Sequence, residues 1–184
     1  MNHYFHNIQG WFIYNDIYRN AVLNALPNSQ FVEVGSWRGR STAFLGVEIE
    51  NSCKDITVHC VDTWKGSLDE DAHQNDPSVI NDTLYDEFLE NIKPISKYIK
   101  PVRMTSMEAV KLYEDNSFDF ILIDGGHDYN TVKDDITEWL KKLKPGHIIA
   151  GDDYAWEGVK KAVDELLPTA QINHNIGCWM YTKP

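Results

Sequence analysis

The chain has 184 residues and a formal charge of −11, from 28 acidic and 17 basic side chains. That length suits a single domain, residues 1–184, and the 42% of hydrophobic residues is typical of a folded protein. The acidic balance argues against nucleic acid or an anionic membrane as the main partner, because both bind basic surfaces.

Targeting and redox signals are weak in this sequence. The three cysteines form no CxxC pair, no apolar run approaches the length of a membrane span, and the N-terminus lacks the layout of a signal peptide. We therefore expect a cytoplasmic protein without a membrane anchor or a disulfide framework.

Short β-branched runs alternate with helical patterns along the chain. Residues 1–28 form an amphipathic leader, predicted as an N-terminal helical cap. The predicted strands are Phe31–Val34, Thr57–Val61, Val102–Met104, Phe118–Ile123, His147–Ala150, Gln171–Asn173 and Cys178–Tyr181. The predicted helices are Ser41–Glu50, Asn81–Tyr98, Ser106–Glu114, Thr131–Leu143 and Trp156–Leu167. This alternation predicts an α/β fold: a doubly wound, Rossmann-like, mostly parallel seven-stranded sheet with helices on both faces and the last strand antiparallel.

The acid excess is concentrated in residues 68–87, which contain seven acidic side chains and no Lys or Arg. We predict a solvated, mobile loop and helix start here, with residues 64–82 as a candidate lid.

In a doubly wound sheet, ligands bind beyond the carboxyl ends of the strands, so the residues that follow each strand carry the functional information. The first strand is followed by Gly35 and Gly39, which permit a tight turn and a close approach of an anionic group to the next helix. An ordinary strand-to-helix turn explains these glycines equally well. Asp62, at the end of the second strand, is placed to accept hydrogen bonds from ribose hydroxyls, or alternatively to stabilise a turn.

Acidic residues also follow the fourth and fifth strands. If these strands are neighbours, Asp124 meets Asp152 and Asp153 at one edge of the sheet. Crowded carboxylates repel unless a cation neutralises them, and oxygen ligands suit Mg²⁺, Mn²⁺ or Ca²⁺. His127, which follows Gly125-Gly126, is a candidate general base. We interpret Asp128 as the cap of the following helix.

The glycine turn, Asp62, the run Ile123-Asp124-Gly-Gly-His127-Asp-Tyr129 and the run Gly151-Asp152-Asp153-Tyr154 resemble class I S-adenosylmethionine-dependent methyltransferases. The chain is most similar to the metal-dependent O-methyltransferase branch that includes macrolide-sugar methyltransferases and cephalosporin-hydroxylase-like proteins. The resemblance covers roughly residues 30–167. Those relatives tend to have Glu-Asp where this chain has Asp152-Asp153, and Asp is one methylene shorter.

The resemblance implies specific roles. S-adenosylmethionine would bind at the glycine turn and along the neighbouring strand ends, with Asp62 on the ribose and Ser106 near the adenine. Mg²⁺, or another divalent cation, would bind Asp124, Asp152 and Asp153, and His127 would be the catalytic base. The cofactor-binding residues implied are Glu33, Gly35, Ser36, Gly39, Ser41, Asp62, Thr63, Trp64, Thr105, Ser106 and Asp124.

The implied reaction is methyl transfer to a hydroxyl of a small molecule, such as a sugar or another vicinal diol, with a homo-oligomer left open. Two alternatives remain at this stage. An NAD(P)-dependent oxidoreductase would share the glycine turn and Asp62, although the chain lacks the third glycine of GxGxxG. A non-catalytic nucleoside-binding module is the other.

Overall fold

One seven-stranded sheet organises the part of the chain that the computed structural model describes, residues 1–67 and 70–184. The strand order is β3-β2-β1-β4-β5-β7-β6. The strands are β1 (Gln30–Val34), β2 (Thr57–Asp62), β3 (Ile99–Arg103), β4 (Phe118–Ile123), β5 (Leu143–Gly151), β6 (Gln171–Asn173) and β7 (Cys178–Thr182). Strands β1 to β5 run parallel, and β7 is antiparallel to both of its neighbours. The predicted fold class is confirmed.

Helices cover both faces of this sheet. They are α1 (Asn15–Asn24), α2 (Arg40–Ser52), α3 (Asp71–Gln74), α4 (Pro77–Ile80), α5 (Leu84–Ile92), α6 (Ser106–Ala109), α7 (Tyr129–Lys142) and α8 (Glu157–Leu166). Short 3₁₀ turns occupy Phe5–Asn7, Lys93–Tyr98 and Val110–Leu112. One apolar cluster packs α1, α2 and α5 against the sheet, and a second packs α7 and α8. No helix in the described ranges is long and apolar enough to cross a membrane.

The order of the central strands decides which residues meet at the carboxyl edge. Ile123 at the end of β4 pairs with Gly151 at the end of β5, so Asp124 and Asp152 follow matched positions on adjacent strands. The condition for an acidic cluster is therefore met by the register of the sheet itself.

Two predicted helices are shorter than the sequence pattern indicated. The helix predicted over Asn81–Tyr98 is α-helical only from Leu84 to Ile92 and continues as a 3₁₀ turn, because Pro94 cannot donate the hydrogen bond that an α-helix requires. The helix predicted over Ser106–Glu114 ends after one turn, at Ala109, and passes into a 3₁₀ turn.

The third strand was predicted too late in the chain. It begins at Ile99 and includes Pro101, a residue type that usually interrupts strands and so indicated a later start. Strand β3 lies at the edge of the sheet and pairs only with β2 among the described residues, so a residue without an N–H group is tolerated there.

Candidate active site

A cavity of about 870 Å³ opens beyond the carboxyl ends of β1 to β5. Its volume lies within the range of sites for drug-sized ligands. Most of the predicted site residues line it: Gly35, Ser36, Ser41, Asp62, Thr63, Thr105, Ser106, Asp124, His127, Asp152 and Asp153. Three others, Glu33, Gly39 and Trp64, lie outside the lining, and the reasons differ.

Gly35 forms the tight turn after β1, with a φ of +88°. A Cβ atom at this position would lie 1.9 Å from the backbone oxygen of Asp124, a distance that no side chain could occupy. The Gly35 N–H donates to the carbonyl of Val61, and the Asp124 N–H donates to the carbonyl of Val34. The glycine therefore allows the ends of β1 and β4 to approach closely beneath the cavity.

Gly39 allows close packing between helices and does not line the cavity. It precedes α2 with a φ of +81°, and a Cβ atom there would lie 3.0 Å from side-chain atoms of Phe88 and Ile92. Its predicted place in the cofactor site is therefore not supported by its position, because it packs against α5.

Glu33 was predicted to shape the cofactor site directly, but its side chain is 0% exposed and points into the protein. Its carboxylate accepts hydrogen bonds from the hydroxyls of Tyr18, Ser36 and Thr42. A buried carboxylate persists only where such donors compensate for lost water. Glu33 thus positions Ser36 in the turn and leader residue Tyr18 instead of contacting a ligand.

Backbone N–H groups occupy most of the hydrogen-bonding capacity of the Asp62 carboxylate. Oδ2 accepts from the N–H groups of Ser36 and Trp37 at 2.9 Å each, and Oδ1 accepts from that of Trp64 at 2.7 Å. A carboxylate offers about four lone-pair positions. Burial raises the pKa of Asp62, and the three backbone donors oppose that rise. The turn-stabilising role is therefore observed, and these three donors leave one lone-pair position on Oδ1 unused.

Trp64 belongs to the core. Its indole is 0% exposed, packs against Tyr85 and Phe88, and donates from Nε1 to the backbone oxygen of Trp37 at 2.9 Å. The prediction that Trp64 contacts the cofactor is not supported by this placement, because the indole faces α5. Trp37 lines the cavity instead.

The carboxylates of Asp124, Asp152 and Asp153 form the centre of the site. One oxygen from each lies within 4.8 Å of the others, so the shorter Asp152 side chain does reach the cluster. Asp124 Oδ2 accepts a hydrogen bond from the Tyr14 hydroxyl at 2.7 Å, and Asp152 Oδ1 accepts from the Asp153 N–H at 2.8 Å. Asp153 adopts a φ of +58°, a conformation in which few non-glycine residues are held.

The electrostatics of this cluster favour a cation. Burial raises the pKa of Asp124 well above its ordinary value, and the charges of Asp152 and Asp153 raise it further. Burial likewise raises the pKa of Asp152. Three partly buried carboxylates at one point are the donor set of a hard divalent cation, which would offset their mutual repulsion. The residues present therefore fit Mg²⁺, Mn²⁺ or Ca²⁺.

His127 lies beside this cluster and is 7% exposed. Its Nε2 is 3.1 Å from Asp153 Oδ2, its Nδ1 is 3.5 Å from Glu70 Oε1, and its ring stacks on Trp156 with 4.6 Å between ring centroids. The imidazole is thus held between two carboxylates and an indole at the cavity wall. Asp128, by contrast, accepts hydrogen bonds from the N–H groups of Asn130 and Thr131, so its interpretation as a helix cap is confirmed.

The acidic segment contributes to the cavity wall through residues that the sequence reasoning did not single out. Glu70 contacts His127, and His73 stacks on Trp37 with 4.0 Å between ring centroids. The Ser67 hydroxyl donates to the carbonyl of Gly125 at 3.3 Å. Within the predicted lid over 64–82, Leu68 and Asp69 lie outside the described residues.

The third strand leads to a polar group at another wall of the cavity. Ser106 donates a hydrogen bond to Asp135 Oδ1 and accepts one from Trp139 Nε1 at 2.7 Å. The neighbouring Thr105 side chain is occupied by a reciprocal cap with Glu108. Asp135 was missed by the sequence reasoning, although a signal existed: a carboxylate stands on the apolar face of α7, between Val132 and Trp139.

Comparisons with known proteins identify the family of this chain. The family model described as "Methyltransferase domain" matches residues 32–154, about two thirds of the chain. An uncharacterised protein of Sinorhizobium fredii is 26% identical over 162 residues, which are 87% of this chain and 15% of that protein. The chain thus spans a small part of the length of this curated relative.

Solved structures share the fold. The O-methyltransferase NovP aligns with a TM-score of 0.71 and 19% identity, covering 92% of this chain and 78% of that one. An O-methyltransferase from Bacillus cereus in complex with SAH aligns with a TM-score of 0.63 and 14% identity, covering 97% of this chain and 86% of that one. A methyltransferase-like protein from Streptococcus mutans in complex with SAH aligns with a TM-score of 0.60 and 14% identity, covering 93% of this chain and 97% of that one. The family match over residues 32–154, which hold most of the sheet and its carboxyl edge, shows that the chain belongs to the methyltransferase-domain family.

Proposed function

We propose that this protein is an S-adenosylmethionine-dependent O-methyltransferase that uses a divalent cation and methylates a hydroxyl of a small molecule. Mg²⁺ is the cation that we propose first. The observation that carries the proposal is the convergence of Asp124, Asp152 and Asp153 within 4.8 Å of one another, beside His127 and in the same cavity as Asp62. Neither an NAD(P)-dependent oxidoreductase nor a non-catalytic module requires that convergence.

The methyl donor is inferred from the fold family and from the cavity. The structures from Bacillus cereus and Streptococcus mutans are both complexes with SAH, the product form of this donor. In this chain the turn at Gly35 and the one open position on Asp62 Oδ1 are the groups that would hold the amino acid and ribose portions. The sulfonium carries a positive charge, which suits a cavity lined by several carboxylates.

The metal would be held by Asp124, Asp152 and Asp153, and when bound it supplies Lewis-acid polarisation of the acceptor hydroxyl. His127 accepts the hydroxyl proton on Nε2, the ring nitrogen 3.1 Å from Asp153, in the tautomer whose Nδ1–H points to Glu70. The donor would supply a methyl group activated on sulfonium sulfur: its transfer to the acceptor oxygen would break the carbon–sulfur bond and leave the electron pair on sulfur, as S-adenosylhomocysteine. Glu70, beside Nδ1, stabilises the imidazolium that results.

The acceptor site is the part of the cavity next to this cluster. Trp156 stacks on His127 and is 45% exposed, and Trp11 and Ile13 of the leader line the same cavity with exposed apolar surface. Indole faces beside a polar cluster suit a ring that carries hydroxyl groups. We infer a sugar or another vicinal diol, since two adjacent oxygens can share one cation.

The metal is tested by measuring S-adenosylhomocysteine release with a panel of diol acceptors, with added Mg²⁺ and with EDTA. Asp152→Asn is expected to abolish metal-stimulated transfer while the dissociation constant for S-adenosylhomocysteine stays within about twofold of the wild-type value, because the cofactor does not need that carboxylate. Asp16→Asn, at a highly exposed position of α1, is the matched control. Full activity in EDTA would remove the metal from the proposal.

The base is tested with His127→Ala. We expect turnover to fall by about 10²-fold to 10⁴-fold, the usual contribution of a positioned proton acceptor. A variant that keeps wild-type turnover between pH 6 and pH 9 would show that His127 is not the base.

The donor is tested by ligand-induced stabilisation. A true ligand raises the melting temperature by mass action, so S-adenosylmethionine should raise it and NAD should not. The opposite result would favour the oxidoreductase alternative and count against the proposed function as a whole.

A further inference from the structure

A buried carboxyl group away from the metal cluster has no part in the proposed chemistry. Asp135 lies in the middle of α7, is 2% exposed and nevertheless lines the cavity. Its neighbours on the same face of the helix are the core residues Val132, Ile136 and Trp139. A carboxyl in such surroundings is costly to keep, so its presence calls for a partner.

The hydrogen bonds at Asp135 have only one consistent direction. The Trp139 indole can only donate, so its Nε1–H donates a hydrogen bond to the Ser106 oxygen. The Ser106 hydroxyl in turn donates to Asp135 Oδ1. This chain fixes the orientation of the carboxyl group. It also makes Oδ1 an acceptor that is already satisfied by the protein.

The other oxygen, Oδ2, receives no hydrogen bond from any of the residues in 1–67 and 70–184, while the side chain borders the cavity. A buried carboxylate with one satisfied oxygen and one oxygen open to a cavity is arranged to accept a hydrogen bond from a ligand. Burial also raises the pKa of Asp135 to about 7, as expected of a group that lacks a second donor from the protein.

The position of this acceptor along the sheet identifies the portion of the ligand. Ser106 follows β3, which is three strands from β4 in the sheet, or about 14 Å from the end that bears Asp124. Asp62 lies between them at the end of β2. A nucleoside whose ribose is at Asp62 and whose sulfur is near the metal cluster therefore extends its base toward Ser106 and Asp135.

We propose that Asp135 recognises the exocyclic amino group of the cofactor's purine and so makes the site selective for a 6-aminopurine over a 6-oxopurine. The inference deepens the proposed function and rests on it. An exocyclic amine donates a hydrogen to the open Oδ2. A 6-oxopurine presents an acceptor at the same place, which leaves two acceptors facing each other without a hydrogen between them. A site built to pair with a donor rejects the analogue that lacks it.

The test compares the dissociation constants of S-adenosylhomocysteine and S-inosylhomocysteine by isothermal titration calorimetry. The two compounds differ only at purine positions 6 and 1. The measurement is made at pH 8.5, where the carboxyl is ionised. For the wild type we expect S-adenosylhomocysteine to bind at least about tenfold more tightly, the factor that one mismatched hydrogen bond produces.

Asp135→Asn is the informative variant, because it changes one oxygen to an NH₂ group of the same size. The amide oxygen keeps the hydrogen bond from Ser106, and the NH₂ group then faces the cavity as a donor. The preference for the amino compound is expected to fall below twofold or to reverse. Asp134→Asn, at the exposed neighbouring position, should keep the wild-type ratio. Ser106→Ala, which removes the hydroxyl that orients Asp135, should lower the ratio to a smaller extent and serves if Asp135→Asn does not fold.

The outcomes separate the two levels of the proposal. If the wild type binds both compounds equally, or if Asp135→Asn keeps the wild-type ratio, the assignment of Asp135 is overturned while the methyltransferase function stands. If neither compound binds the wild type, the donor in the proposed function fails, and this inference fails with it.

Discussion

Replacing Asp135 by Asn removes a carboxyl group whose ionisation the fold opposes, so the free energy of unfolding should change with pH in a defined direction. The pKa of this group is raised by burial from 3.8 to about 7 in the folded chain. Between those pH values the folded state keeps a proton that the unfolded state releases. Stability linked to Asp135 is therefore fully present below about pH 4 and is lost as the pH rises through about 7.

The size of the effect follows from the shift. One pKa unit corresponds to about 1.36 kcal/mol, so a shift of about three units makes the ionised Asp135 cost roughly 4 kcal/mol at pH 8 relative to pH 3. Between pH 5 and pH 8 the expected loss is about 3 kcal/mol. Asn cannot ionise and retains an oxygen for Ser106, so the variant avoids this loss.

The assay is urea unfolding of the wild type and Asp135→Asn at half-unit steps between pH 5 and pH 8.5, without cofactor. Burial also raises the pKa of Asp62, Asp124 and Asp152, so the absolute stability of both proteins changes with pH. Subtracting one profile from the other removes those contributions, because the three groups are present in both. We expect the variant to gain about 3 kcal/mol relative to the wild type across this range. Parallel profiles would refute the reasoning, and Asp16→Asn, at an exposed site whose charge is not among the causes that raise the pKa of Asp135, should give a profile parallel to that of the wild type.

Two further predictions concern the backbone and the base. Gly35→Ala is expected to lose more than about 3 kcal/mol of unfolding free energy, since the new Cβ would lie 1.9 Å from the Asp124 oxygen. Gly146→Ala, which shares a positive φ but meets nothing within 4 Å, isolates the conformational cost of about 1 kcal/mol, and equal losses in urea unfolding would contradict the steric argument. Glu70→Gln is expected to lower kcat by about tenfold with little change in the KM for S-adenosylmethionine, because Glu70 contacts His127; an unchanged kcat in steady-state assays would exclude the stabilising role.

The fold and the centre of the site were accessible from the sequence because both depend on short-range patterns. Alternation of strands and helices predicts a parallel sheet, and a parallel sheet brings the residues after its strands to one edge. The pairing of Ile123 with Gly151 then places Asp124 beside Asp152. The pattern does not give the strand order. The predicted meeting of Asp124 with Asp152 therefore depended on the assumption that the fourth and fifth strands are neighbours.

Glu33 and Trp64 were misplaced for a common reason. Both stand next to residues that line the cavity, Glu33 within β1 and Trp64 two residues after β2, and nearness in sequence does not tell which way a side chain points. Glu33 is retained in the core by hydroxyl groups from three separate elements, including Tyr18 of the leader. Such a set of donors is assembled only by the tertiary fold.

The role of the acidic segment changes most when the contacts are known. A segment with seven acids and no base was predicted to be solvated, because like charges repel. Its balancing charge comes from the glycine turn: Arg38 lies 2.7 Å from both Asp76 and Glu87, in half-buried ion pairs. Arg38 holds the pKa of Asp76 at about 2, so this pairing persists across the physiological range. The same turn that would bind the cofactor thus also anchors the segment that brings Glu70 to His127.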